Sequence, residues 1–358
     1  LLAALLSLHL GRALAVTSFT LYTAVLAVVV SRIVTPKLLH NMERWLLGGA
    51  ILACAFAFYQ FFGDLIGLPR ALTGLRSEYV KAVFGFPRVQ STSLEPLFFA
   101  HYLLFPTSLL LSLGLTRKRI KLGILIAFFT CIFLTVSRGG AVAALLLVVA
   151  FGGLSLVRKR FTTTAKIFSA IIIGFAISFA MISVIVPAWS SLTAPNKVSK
   201  EATAASAYKN HVTNYAEVDN PASDRAKWRN LALELFKSHP VLGVGPGNFG
   251  YYANKLEGYP ITQTVDNLPL EILAETGVVG ATALTLFSLF LLWEAGSALW
   301  KGQLESEHSA WIIGTVAFLG ATFVQYQTFS TLYIIVVWVA IGIVMGLSSP
   351  TRLNLKKS

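Results

Sequence analysis

Apolar runs long enough to cross a bilayer recur along most of this chain, and one polar interval of about 80 residues, Ser190 to Leu268, interrupts them. At about 17 to 25 apolar residues per span, the runs predict complete helices near 14–31, 46–62, 97–116, 121–137, 139–157, 167–189, 269–293, 310–327 and 330–348. Leu1 to Leu10 reads as the end of one more span, so helices are expected to be missing before it. The pattern predicts an all-α polytopic integral membrane protein of about 9–10 transmembrane helices with one large external loop. Residues 1–189 are expected to hold the N-terminal helices, 190–268 an extracytoplasmic loop with short helices, and 269–358 the C-terminal helices and a cytoplasmic tail.

Inside the loop the pattern changes period. Trp228, Leu231, Ala232, Leu235 and Phe236 recur at helical spacing after Ser223 and Asp224, either of which can cap the helix. With Arg225, Arg229 and Lys237 on its other faces, this helix is expected to lie flat on the membrane surface, apolar side down. Residues 195–222 show no periodicity and are expected to be mobile.

Composition supports the membrane reading, with 55% hydrophobic and only 13% charged residues, against about 25% charged in soluble domains. The net charge of +13 would suit a nucleic-acid binder, but its distribution excludes that partner. Arg32, Lys37 and Arg44, then Arg117 to Lys121, Arg158 to Lys166, and Arg352 to Lys357 fall on alternate connectors, as cytoplasmic loops require. Basic and acidic side chains nearly cancel in the long loop. Residues 63–95 and 190–268 are therefore expected outside, although connector 294–309, placed inside, carries Lys301 against Glu294, Glu305 and Glu307. Cys54 and Cys131 lie within spans, so neither a disulfide framework nor a cysteine metal site is expected.

Several residues carry chemistry. Arg138, in Ser137-Arg138-Gly139-Gly140, sits where two spans meet with almost no loop. It either snorkels to head groups or clamps phosphate, whose oxygens match its planar fork. Arg88 and Glu95 flank a short outer segment leading into Pro96, where Glu95 suits a helix start; the segment is either a capped turn or a substrate lining. His101, one turn further on, reads as a buried hydrogen-bonding residue. Gly243-Val244-Gly245-Pro246-Gly247 lacks the spacing and lysine of a nucleotide loop, so these glycines are read as turns that bring backbone close to something bulky. Asn267 can cap the helix that begins there, with Pro269 in its first turn. Capping does not explain Asp266, Glu271 and Glu275 at one helix end, which suggest a polar cavity and a general base.

Four segments in order, Arg88 to Pro96, Ser137-Arg138-Gly139, Arg225-x-x-Trp228 leading to His239-Pro240-x-x-Gly243-x-Gly245-x-Gly247-x-Phe249, and Asp266-Asn267 through Glu271, Glu275, Gly277 and Gly280, resemble the O-antigen ligase and polymerase superfamily. The resemblance covers roughly residues 80 to 290. It implies a GT-C-like glycosyltransferase of the bacterial cytoplasmic (inner) membrane that needs no metal or cofactor. Such an enzyme moves a glycan from an undecaprenyl-pyrophosphate-linked donor to a lipid, glycan or protein hydroxyl. By the same resemblance, Arg138 and Arg225 match positions around the donor pyrophosphate and Asp266 matches the base. The ligases usually carry a histidine immediately before the asparagine, whereas this chain has Asp266. Arg88, Glu95, Asn267, Glu271, Glu275, Gly245 and Gly247 are the expected substrate-binding residues. Two other classes compete: a transporter or channel, which the intramembrane acids also suit, and a membrane scaffold. Against a transporter, no pair of broken helices is evident in two matching halves.

Overall fold

The computed structural model describes residues 2–7, 9–117, 120–193, 221–300 and 306–348. Most of segment 195–222, together with Lys118, Arg119, Lys301, Glu305 and the tail, lies outside the described residues. Every regular element among those described is helical, and the chain is an all-α polytopic membrane protein. Among the described residues, seven helices are long and apolar enough to cross a membrane: Leu10–Ile33, Lys37–Leu65, Pro96–Thr116, Arg138–Val157, Phe161–Leu192, Leu268–Trp300 and Glu307–Gln325. Phe19, Val25, Ile172, Phe179, Leu286 and Phe290 stay exposed on them, as lipid-facing side chains do. The two remaining expected spans form shorter apolar helices, Leu122–Leu134 and Ile335–Ser348. The first stops early because the chain turns through Val136, which takes a left-handed φ of 50°. The second starts late because Phe329 to Ile334 form a non-helical turn.

The chain divides into two compact units, Leu1–Pro36 with Ala216–Ser358, and Lys37–Tyr215. The units do not follow the three sequence segments, because the first span packs on the last helix. Gly342 and Gly346 allow that approach: a Cβ on Gly342 would stand 2.5 Å from the Ala27 carbonyl oxygen, and one on Gly346 2.7 Å from that of Ser31.

In the unit Lys37–Tyr215, helix Pro96–Thr116 is buried along nearly its whole length. Gly140 lets helix Arg138–Val157 come close to it, since a Cβ there would lie 2.6 Å from Ala100 Cβ. Helix Phe161–Ala180 runs through a π turn, Met181–Ile185, into Val186–Thr193. At the other end of helix Pro96–Thr116, Arg117 makes a two-pronged ion pair with buried Glu43 (2.7 and 2.9 Å).

The unit Leu1–Pro36 with Ala216–Ser358 contains helices Pro221–Ser238 and Phe249–Glu257 from the polar interval. The first begins at Pro221, so Ser223 and Asp224 fall in its first turn; their side chains lie outside those described. Its apolar face does not lie on a membrane surface, contrary to expectation. Ala232 and Leu235 join Val244, Phe249, Ala253, Val265 and Ala274 in a small core, with Trp228, Leu231, Tyr252, Tyr259 and Leu270 packed around it. Helical spacing identifies an apolar face but not what covers it, and here the rest of the polar interval does, together with Leu270 and Ala274 of the following helix.

Candidate functional site

The span that leaves the polar interval is broken. Helix Leu268–Trp300 has one residue with non-helical angles, Gly277 (φ 63°, ψ −166°), a region open essentially to glycine alone. The sequence 240–245 lies along the break and takes up its backbone groups. Val278 and Val279 N–H donate to the carbonyls of Pro240 and Val241 (2.8 and 3.3 Å), and Val244 and Gly245 N–H donate to those of Ala274 and Glu275 (3.0 and 2.8 Å). The glycine-rich run thus mates with the broken helix. Gly245, at φ 99°, also has no room for a Cβ, which would stand 2.2 Å from Ser7 Cβ.

Glu275, just before the break, fastens the next helix. Its two oxygens accept the N–H groups of Gly247 (2.6 Å) and Phe249 (3.0 Å), so a carboxylate sits at the N-terminus of Phe249–Glu257, where the helix dipole favours it. Arg12 Nε donates to the Gly247 carbonyl, its guanidinium lies over the Tyr251 ring, and His9 stacks on the same ring. Glu271 accepts the Val265 N–H (2.8 Å). The carboxylates expected to face substrate therefore hold backbone in this structure.

Asp266 differs from these two acids. It holds a left-handed φ of 54°, which aspartate tolerates better than most residues. Its Oδ2 is 3.2 Å from Arg225 Nε, contributed by helix Pro221–Ser238, and its Oδ1 accepts from Thr264 Oγ1 (3.2 Å). Pair and carboxylate are part exposed, 31% for the arginine and 24% for the aspartate. Asn267 Oδ1 caps the helix by accepting the Leu270 N–H (3.1 Å), while its own N–H donates to Ser330 Oγ (2.9 Å) and its amide to Gln327 Oε1 (3.1 Å). Arg229 Nη2 donates to the Gln327 carbonyl (3.1 Å). The turn after Gln325 thus backs the Asp266-Asn267 pair. Its polar Gln327 and Ser330, next to a span, were the signal that sequence reasoning passed over.

The other expected residues belong to the unit Lys37–Tyr215. Arg138 opens its helix behind the cap Ser137, whose Oγ accepts the Gly140 N–H (3.3 Å). A cation is disfavoured at that end of a helix dipole, so capping gives no reason for an arginine there. Arg88 Nε donates to the Thr135 carbonyl (2.6 Å), which ties its segment to the turn before Arg138, and the guanidinium lies over Tyr79 and Phe84. Burial pushes the Tyr79 phenol above its ordinary pKa, and Glu95 adds to this while Arg88 opposes it, so the ring stays neutral. Glu95 precedes Pro96 at the helix start but makes no capping bond with its side chain. A residue absent from the expected set shapes this segment. Gln60, fully buried in its span, accepts the N–H groups of Gln90 (3.3 Å) and Ser91 (2.7 Å) and donates to the Ser91 carbonyl (3.0 Å). Its signal was a lone amide in an apolar run. No cluster of metal-ligating side chains occurs among the described residues.

A family model described as O-antigen ligase matches residues 123–285. Over that stretch the chain is similar to the O-antigen ligase family. The ligase match includes Arg138, Arg225, Asp266 and the break at Gly277, and stops short of the Gln327–Ser330 turn. The match supports a glycosyl-transfer role in polysaccharide synthesis. No curated protein matches the chain.

Proposed function

We propose that this protein transfers a glycan from an undecaprenyl-pyrophosphate-linked donor to a hydroxyl acceptor during cell-surface polysaccharide synthesis. The observation that carries the reading is Asp266, held in a left-handed conformation at the mouth of a broken span and paired with an arginine far away in sequence. Conformations of this kind persist where surrounding structure enforces them and cluster at functional sites. The acceptor hydroxyl would attack the anomeric carbon from the face opposite the pyrophosphate and give its proton to the Asp266 carboxylate. The bond from carbon to phosphate oxygen breaks as the new glycosidic bond forms, with inversion, and undecaprenyl pyrophosphate leaves carrying the electron pair. Arg225, released from Asp266 to the anionic donor, would stabilise that charge, at roughly 3 to 4 kcal/mol per well-placed donor; Arg138 is assigned to the donor pyrophosphate by the family resemblance. Guanidinium groups then do the work a metal does elsewhere. Arg88 and Glu95 are assigned to the donor, while Gly245, Gly247, Asn267, Glu271 and Glu275 shape the site.

The protein is assigned to the bacterial cytoplasmic membrane, with 63–95 and 190–268 on the external side. A broken helix also suits a transporter, but this break is filled by the backbone of residues 240–245 rather than left to line a passage. The test uses the full chain in detergent with a purified lipid-linked donor. Asp266→Asn keeps a side chain that tolerates the same backbone and is expected to lower transfer at least about 100-fold, as is Arg138→Ala. Undiminished transfer by either variant sinks the assignment of that residue.

A further inference from the structure

Helix Pro221–Ser238 brings two arginines to one face, Arg225 and Arg229, one turn apart. Their charges are handled differently. Arg225 is matched by Asp266. Arg229 has no carboxylate within ion-pair distance among the described residues, and its one hydrogen bond is to a neutral carbonyl, that of Gln327. Its Nε–H is buried without an acceptor. The neighbouring Trp228, on the apolar face of the helix, likewise buries its indole N–H without an acceptor. The Arg229 side chain as a whole is half-buried, but a guanidinium N–H shut away without an acceptor, on a group that faces no carboxylate, is costly.

Through Gln327 the arginine is tied to the Asp266-Asn267 turn, because the Gln327 carbonyl anchors Arg229 while its side chain holds the Asn267 amide. The guanidinium is thereby fixed in place before any ligand arrives, which lowers the entropic cost of binding. An acceptor with full negative charge and several oxygens completes such a group, and phosphate matches the arginine fork.

We propose that Arg229 is a further anion-binding residue of this site and takes a phosphate oxygen of the lipid-linked donor. The donor's identity rests on the glycan-transfer reading above; the phosphate site itself does not. Arg225 and Arg229 then divide the work. Arg225 exchanges between Asp266 and the donor, and Arg229 anchors the phosphate throughout.

The test measures binding of farnesyl pyrophosphate to the full chain in nanodiscs of phosphatidylcholine, with farnesol as the phosphate-free control. Arg229→Gln is expected to weaken farnesyl pyrophosphate at least 10-fold, to reduce the salt dependence of its binding, and to leave farnesol unchanged. Arg229→Lys, which keeps a charge but not the fork, is expected to lie between the two and covers the case in which Arg229→Gln does not fold. Equal binding by wild type and both variants overturns the proposal, as does no binding by wild type or an equal loss for farnesol. Nanodiscs containing phosphatidylglycerol separate the sources of phosphate: Arg229-dependent competition by that lipid would assign the group to a membrane head group and overturn the donor assignment. If Asp266→Asn transfers glycan normally while Arg229→Gln still loses the pyrophosphate lipid, the catalytic reading falls and the phosphate site stands.

Discussion

Replacing Gly277 with alanine should peel the glycine-rich run off the broken helix. Two penalties act together. The left-handed, extended conformation of Gly277 is closed to alanine at a cost of about 1 to 3 kcal/mol. The new Cβ would also stand 2.3 Å from the Val241 oxygen and 2.4 Å from its carbonyl carbon, atoms of a rigid backbone that cannot swing aside. Relief requires the run to retreat, which gives up the bonds from Val278 and Val279 to Pro240 and Val241, each contributing about 1 kcal/mol net. The joint effect is about 3 to 5 kcal/mol of local stability. Amide hydrogen exchange reads this directly. In the detergent-solubilised chain, the Val244, Gly245, Val278 and Val279 amides should exchange at least about 100-fold faster in Gly277→Ala. Gly48→Ala is the control, because a Cβ there meets nothing within 4 Å and alanine favours a helix. Unchanged exchange in Gly277→Ala would refute the account of the break as a docking joint.

Gln60→Met should leave the buried Gln90 and Ser91 amides without an acceptor, destabilising segment 86–95 by about 1 to 3 kcal/mol for each group left unsatisfied; protection of those two amides equal to wild type would argue against it. Glu275→Gln should loosen helix Phe249–Glu257, because its amide N–H₂ cannot accept both backbone N–H groups, and proteolysis within 245–260 should quicken about 10-fold for each 1.4 kcal/mol lost. Glu43→Ala removes the partner of Arg117, whose side chain is 35% exposed, so the melting transition should reflect about 1 to 2 kcal/mol rather than the larger loss typical of a fully buried pair.

The spans were legible because lipid demands a run of apolar residues whatever the neighbours are, and each expected position holds a helix. The break was not. Thr276-Gly277-Val278-Val279-Gly280 reads as an apolar helix, and only backbone arriving from 240–245 makes the bend at Gly277 favourable. The surface helix was found by its period, yet its partner is a core assembled from residues up to Ala274, information that spacing does not carry. The Asp266-Asn267 pair stood out as polar chemistry at the head of a span, and the asparagine cap could be read directly. Its pairing with Arg225 and its backing by Gln327 and Ser330 join residues distant in the chain, and a single sequence holds no record of such contacts. Gln60 shows the converse: one amide in an apolar run is visible, but its task appears only when the chain folds back at Ser91.

The break at Gly277 also changes what the membrane has to contain. At about 1.5 Å per residue, the stretch Val278–Trp300 is about 35 Å long, sufficient alone for a hydrocarbon layer of about 30 Å. The turns before it, with Glu271 and Glu275, are surplus to the crossing. They can stand at head-group depth as a porch above the bilayer, where carboxylates are tolerated and a sugar chain carried on a lipid meets water.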